Sequence, residues 1–257
     1  MNLFFRKSGA GQPLIILHGL FGISDNWATL AKKLAEHFTV YAVDLRNHGQ
    51  SPHSDQWKYW IMSEDILELI ENEKLKNVIL LGHSMGGKVG MYLTLDSPQL
   101  ISKLIVCDIA PKKYPIGNQD VVDALLKIHP EKLTSRKEAE DLLAKDIKDN
   151  GTLQFLLKNL YHKENADGSK QFDWRFNLPV ISKNLAVVAE ATDEPANSDI
   201  ETLFIRGENS SYITKEDEPE IKRVFPRAMI KTISGAGHWV HADKPEEVFN
   251  AVMQFCM

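Results

Sequence analysis

The chain has 257 residues, a hydrophobic fraction of 43% and a formal net charge of −5. That is enough apolar material for one sizeable core, and the acidic balance without a basic block argues against a nucleic-acid binder. No apolar run is long enough to span a bilayer, and Met1–Lys7 has neither the apolar stretch nor the cleavage site of a signal peptide. Cys107 and Cys256 are the only cysteines, too few for a disulfide framework or a zinc pattern, so the expected compartment is the cytoplasm or a similarly reducing one.

Asn2 to Lys7 alternates as a strand does, and Ser8-Gly9-Ala10-Gly11-Gln12 is expected to be a hairpin turn. Pro13–Leu17 is a continuous apolar run, hence a strand buried on both faces. It ends in His18-Gly19-Leu20-Phe21-Gly22. Trp27, Leu30, Ala31, Leu34 and Ala35 recur at helical spacing behind a capping Asp25-Asn26 pair. Thr39–Val43 is the next strand, and a polar loop from Asp44 to Ser51 follows it. A helix is expected from about Ser63 to Glu73, with Ile66, Leu67 and Ile70 inward. Val78–Leu81 is a buried strand, Lys88 to Leu95 a helix, and Leu104–Cys107 a strand.

From about Lys112 to Asp199 no strong strand is expected. Helical stretches fall near Asp120–Ile128, Ser135–Lys148 and Thr152–Tyr161, with a turn at Asn165-Ala166-Asp167-Gly168. The strand-helix rhythm resumes with Glu201–Ile205, a helix around Glu216–Val224, a strand at Met229–Ile233 and a last helix from Pro245 to Phe255. Such alternation means an α/β fold: a mostly parallel sheet with helices on both faces. The core is expected over 1–111 and 200–257. Residues 112–199 are expected to form a helical cap inserted between two late strands, over the carboxyl edge of the sheet, where open α/β folds bind ligands.

The chemistry centres on Gly82-His83-Ser84-Met85-Gly86, set between strand and helix. Gly-x-Ser-x-Gly in that context is a nucleophile elbow; without the context it would be a glycine-rich turn with an incidental serine. Gly82 and Gly86 are required because side chains there would collide across the turn. A serine needs a base, and the base needs an acceptor, in the chain order Ser, acid, His. Among nine histidines, His238 in Gly237-His238-Trp239 follows the last strand, where that order requires the base. His241 is expected to pack beside the loop. Asp108, at the end of its strand, is preferred as the acid over Glu208 in the loop after the strand Glu201–Ile205; Asp44 also ends a strand but precedes the serine, and is read as bracing its own loop through Arg46. The oxyanion donors are expected to be the amides of Met85 and Leu20, with Phe21 in reserve. His18 and His48 are read as loop anchors.

The runs His18–Gly22, Asp44–Gly49, Gly82–Gly87 and Gly237–His241 resemble the α/β-hydrolase superfamily. Cys107–Pro111, Phe155–Asn159, Trp174–Pro179, and Asn209-Ser210-Ser211-Tyr212 in place of the usual acid, resemble the YbfF-type esterases within it. The resemblance spans nearly the whole chain. It implies a serine esterase acting through an acyl-enzyme on short to medium acyl esters, and it favours Asp108 as the triad acid. Acyl-CoA thioesters are the second substrate class it implies, and a hydrolase fold that only binds a ligand is the alternative from another class. Lys112 and Lys113 could meet a phosphate, though solvated lysines are the simpler reading. No metal-ligand cluster or phosphate loop points to a cofactor. The expected partner is a small ester or thioester, and the oligomeric state is not specified.

Of the cap aromatics, Trp174 and Phe176 are expected to join Phe21 and Trp239 around the substrate, whereas Phe155 is expected in the cap core.

Overall fold

A computed structural model describes residues 1–192 and 197–257. Seven strands form the main sheet: β1 (Phe5–Ser8), β2 (Pro13–Leu17), β3 (Thr39–Val43), β4 (Val78–His83), β5 (Ile101–Cys107), β8 (Glu201–Gly207) and β9 (Ala228–Ile233). Their order is β1-β3-β2-β4-β5-β8-β9, and every pair is parallel except β1 with β3.

Alternation along each strand sends side chains to opposite faces. Leu14, Ile16, Ile79, Leu81 and Ile105 face one way, onto Leu30 and Leu34 of the helix Ala28–Leu34 and Val248, Val252 and Phe255 of the helix Pro245–Cys256. Ile15, Leu17, Leu80, Leu104 and Val106 face the other, onto Met62 and Ile66 of the helix Tyr59–Asn72 and Val89 and Leu93 of the helix Met85–Asp96. Two buried faces explain why the central strands read as unbroken apolar runs.

The expected hairpin between β1 and β2 does not form. β1 runs antiparallel to β3, with Phe5 opposite Val43, and β2 lies on the far side of β3. The connection therefore crosses the start of β3. It needs Gly9 there: φ is +78°, and a Cβ would stand 2.2 Å from the Phe38 carbonyl oxygen. The helix expected from Ser63 begins four residues earlier, at Tyr59.

β2 and β4 are neighbours, yet the chain proceeds from β2 to β3 on one side and from β4 to β5 on the other. This reversal opens a crevice at the carboxyl ends of β2 and β4, the usual ligand position in such sheets.

Between β5 and β8 comes the insert. Its helices are Gln119–Leu126, Arg136–Leu143, Asn150–Leu157, Leu178–Lys183 and Leu185–Val188. The expectation of no strand is corrected here: β6 (Leu160–Glu164) and β7 (Lys170–Trp174) form an antiparallel hairpin around the turn at 165–168. Leu160, Phe172 and Trp174 are buried while Lys163, Glu164 and Lys170 are exposed, so this short ribbon is apolar only at its base. Residues 193–196, part of the expected cap, lie outside the described residues.

The two arms of the insert meet at its base. Tyr114 N–H donates to the Ala189 carbonyl and Thr192 N–H to the Pro111 carbonyl. The buried Lys88 ammonium donates to the Lys112 carbonyl at 2.6 Å and the Glu190 carbonyl at 2.8 Å. Burial, with Lys112 nearby, lowers the Lys88 pKa to about 7.

Candidate active site

Ser84 sits between β4 and the helix Met85–Asp96 with φ +51° and ψ −117°. Such a backbone costs energy for a residue with a Cβ, and it holds the hydroxyl at the tip of the turn. The flanking glycines are required by contact. A Cβ on Gly82 would lie 2.3 Å from the Gly86 carbonyl oxygen, and one on Gly86 2.4 Å from that of Leu17.

Asp108 follows β5, also at positive φ (+53°), and its side chain is fully buried. Its Oδ2 lies 2.8 Å from His238 Nδ1. The carboxylate only accepts, so Nδ1 carries the proton and Nε2 is left with its lone pair. The burial of Asp108 is compensated: Oδ1 accepts the Gly207 amide at 3.0 Å, and Oδ2 accepts the Ser210 hydroxyl. Glu208 is directed elsewhere. Its Oε2 accepts the Gly235 amide at 2.8 Å on the exposed side of the loop.

Ser84 and His238 line one cavity of about 1150 Å³, together with Leu20, Phe21, Phe155 and Trp239. Among the described residues the Ser84 hydroxyl has no hydrogen-bond partner within 3.5 Å. Contacts of this kind commonly tighten only when substrate arrives.

The amide of Met85 is the first of its helix and has no intrahelical acceptor. The Leu20 amide has no acceptor among the described residues. The reserve donor, Phe21, is already engaged: its amide donates to His48 Nε2 at 3.2 Å. His48 Nδ1–H donates to the Arg46 carbonyl at 2.9 Å. His18 works in the same way, accepting the Leu45 amide at Nε2 (2.9 Å) and donating from Nδ1 to the Gly19 carbonyl (2.8 Å). Burial lowers the pKa of His18 to about 4 and that of His48 to about 3, so both are neutral. His241 stacks on Trp27, centroids 4.0 Å apart.

Asp44 does brace its loop, but not through Arg46. Its Oδ1 accepts the Ser24 amide at 2.6 Å and its Oδ2 the Gln50 amide at 2.9 Å. Arg46 instead forms a buried bidentate pair with Asp65, at 2.6 and 2.7 Å.

The expected aromatic lining is half corrected. Phe21 and Trp239 face the cavity; Trp174 and Phe176 do not. They stack on each other at 5.2 Å, and Phe176 backs Phe21 edge-on at 5.1 Å. Phe155, expected in the cap core, lines the cavity beside Trp239, ring centroids 5.1 Å apart. The insert also fixes the loops beneath it. Asn159 Nδ2 donates to the Phe21 carbonyl at 2.8 Å, and the Asn177 amide donates to the Asn47 carbonyl at 2.9 Å.

Three residues near His238 carried no expectation of a role. Tyr212 stacks on its ring, Ser210 bonds its carboxylate partner, and His83 Nε2–H donates to its carbonyl at 2.8 Å. The only signal in the sequence is the stretch 209–212, which lacks the usual acid.

The family described as alpha/beta hydrolase fold matches residues 12–245. The chain belongs to the α/β-hydrolase family. It is 40% identical over 255 residues to the sn-1-specific diacylglycerol lipase ABHD11 of Xenopus laevis, covering 95% of this chain and 80% of that one. It is 35% identical over 245 residues to Esterase YbfF of Escherichia coli, covering 95% and 92%. A solved structure titled Marine microorganism esterase superposes with a TM-score of 0.93 at 41% identity, covering 99% of both chains.

Proposed function

We propose that this α/β hydrolase is a serine carboxylesterase in which Ser84 is the nucleophile, His238 the base and Asp108 the acid that orients it. Carboxylester hydrolysis is the activity in the names of relatives that match nearly the whole chain. The observation that carries the residue roles is the 2.8 Å contact between buried Asp108 and His238 Nδ1, at a cavity that Ser84 also lines.

In this reading Ser84 Oγ attacks the acyl carbon while its proton passes to His238 Nε2. The carbonyl oxygen becomes an oxyanion, received by the Leu20 and Met85 amides at the positive end of the elbow helix. Collapse breaks the acyl–oxygen bond; His238 returns the proton to the departing alcohol, and an acyl-enzyme remains. Water, deprotonated by His238, then releases the acid.

The described residues of the insert between β5 and β8 act as a cap over this site. Phe155, Val121, Leu185 and Val188 give the cavity an apolar wall, which suits short to medium acyl chains. Thioesters are the second reading. Lys113 and Lys158 line the same cavity and could meet a phosphate on the thiol side; Lys112 is paired with Asp217 at 2.7 Å. Cys107 and Cys256 are free thiols, as suits the cytoplasm we propose.

The test is a screen of p-nitrophenyl esters, diacylglycerol and acyl-CoAs, alongside Ser84→Ala. The substitution should leave the melting curve intact and lower kcat by about 10⁴ or more. A fluorophosphonate should label the peptide carrying Ser84. Label on another residue, or near-normal turnover by the variant, would refute the mechanism.

A further inference from the structure

His238 is held by more than its carboxylate. The ring of Tyr212 lies flat over the imidazole, centroids 3.7 Å apart and planes inclined by 16°. Tyr212 is itself fixed from both sides of its peptide. Its amide donates to Ser210 Oγ at 3.2 Å, and its carbonyl accepts the Tyr114 hydroxyl at 2.6 Å. Tyr114 packs its ring against that of Tyr212 at 5.5 Å, and its hydroxyl accepts the Ala110 amide at 2.8 Å. Its own amide is bonded to Ala189, where the two arms of the insert meet. The ammonium groups of Lys88 and Lys112 lie 5.4 and 5.0 Å from the centre of the Tyr114 ring. An unbroken line of contacts thus runs from the base of the insert, through Tyr114 and Tyr212, to the imidazole.

We propose that Tyr212 is a positioning residue for His238, and that Tyr114 at the base of the cap sets Tyr212 in place. This rests on the reading of His238 as the base.

When Ser84 attacks, its proton moves to Nε2 and the ring becomes an imidazolium. An aromatic face stacked on a cation attracts it through the ring quadrupole, and does so less for the neutral ring. The stabilisation therefore grows along the reaction coordinate, and it belongs in kcat rather than in KM. Stacking also blocks rotation of the imidazole, so Nδ1 stays on Asp108 while Nε2 is presented to the serine. The ring face does this work, not the phenol oxygen: the Tyr212 hydroxyl takes no part in the contacts that hold the imidazole. Phenylalanine should therefore substitute and an aliphatic residue should not.

The test compares Tyr212→Phe, Tyr212→Leu and Tyr114→Phe in the full chain. It uses a p-nitrophenyl ester, the rate of fluorophosphonate labelling of Ser84, and thermal melts. Tyr212→Phe should stay within about twofold of wild type. Tyr212→Leu should lose about tenfold in kcat with KM little changed, and labelling should slow in parallel. Tyr114→Phe should fall between them. If the leucine variant unfolds, Tyr212→Met gives the same comparison with more of the volume kept. Wild-type kcat in a folded aliphatic variant would overturn the proposal, as would a phenylalanine variant as slow as the aliphatic one. Ser84→Ala run beside these separates the two levels. Its full activity would refute the site itself, whereas its inactivity with wild-type rates in the Tyr212 variants would refute only the positioning role.

Discussion

Two carboxylates flank Gly207, and one of them faces the imidazole. Asp108 takes the Gly207 amide and His238 Nδ1; among the described residues Glu208 takes only the Gly235 amide. Asp108→Asn keeps the shape but puts an amide where a pure acceptor stood, which can select the wrong imidazole tautomer. It should cost about 10³ to 10⁴ in kcat. Glu208→Gln can still accept from Gly235 and should leave kcat near wild type. Reversed results in folded variants would move the acid to the loop after β8. The position of Ser84 was legible because the elbow's constraints are local: two glycines, a strand and a helix. That of Asp108 needed topology as well. Tyr212 was not legible, since its stacking depends on how one loop folds across the end of a distant strand. The pairing of Arg46 was hidden for a similar reason: its partner Asp65 is nineteen residues away on a helix, whereas Asp44 is two residues away in sequence and binds backbone amides instead.

At the scale of elements, the aromatic residues of the insert divide by which element carries them. Phe155 is on the helix Asn150–Leu157, beside Trp239 at the cavity wall. Trp174 closes β7 and Phe176 follows it, both behind Phe21. Count and composition announced that these rings were too many for a solvated surface, but their direction depends on the β6–β7 hairpin, which was not foreseen. Its signal was present, an Asp-Gly turn between segments alternating at Phe172 and Trp174, yet the charged tip diluted the alternation. Phe155→Ala should change the ratio of kcat/KM between short and long acyl esters. Trp174→Ala should leave that ratio near wild type and instead lower the melting temperature, at a cost of about 3 kcal/mol or more for an emptied aromatic site. Equal ratios in the Phe155 variant and wild type would remove Phe155 from the acyl wall.

For the whole molecule, the alternation of apolar strands and amphipathic helices specified the layers, because burying both faces of a parallel sheet leaves little choice of partner. What the patterning could not say is how the molecule depends on pH. His18 and His48 are packed beside the loop that carries Leu20, rings 5.1 Å apart, each accepting a backbone amide at Nε2. Protonating either nitrogen breaks that bond and places a cation in the core. Their folded pKa values, about 4 and about 3, lie below the ordinary 6.5. Between these limits the unfolded chain binds protons that the folded chain refuses. The stabilisation is therefore complete above about pH 7 and is lost as the pH falls toward 4. Each histidine contributes on the order of 3 kcal/mol across that window, a large share of a typical total stability of about 5–15 kcal/mol. The urea midpoint should accordingly fall steadily from pH 7 to pH 4.5. In His48→Gln the side-chain oxygen can still accept the Phe21 amide but does not titrate, so this variant should lose distinctly less over the same range. A wild-type midpoint that stays level to pH 4.5 would mean that the two histidines are not held neutral, and that the loop carrying Leu20 is anchored by something other than their lone pairs.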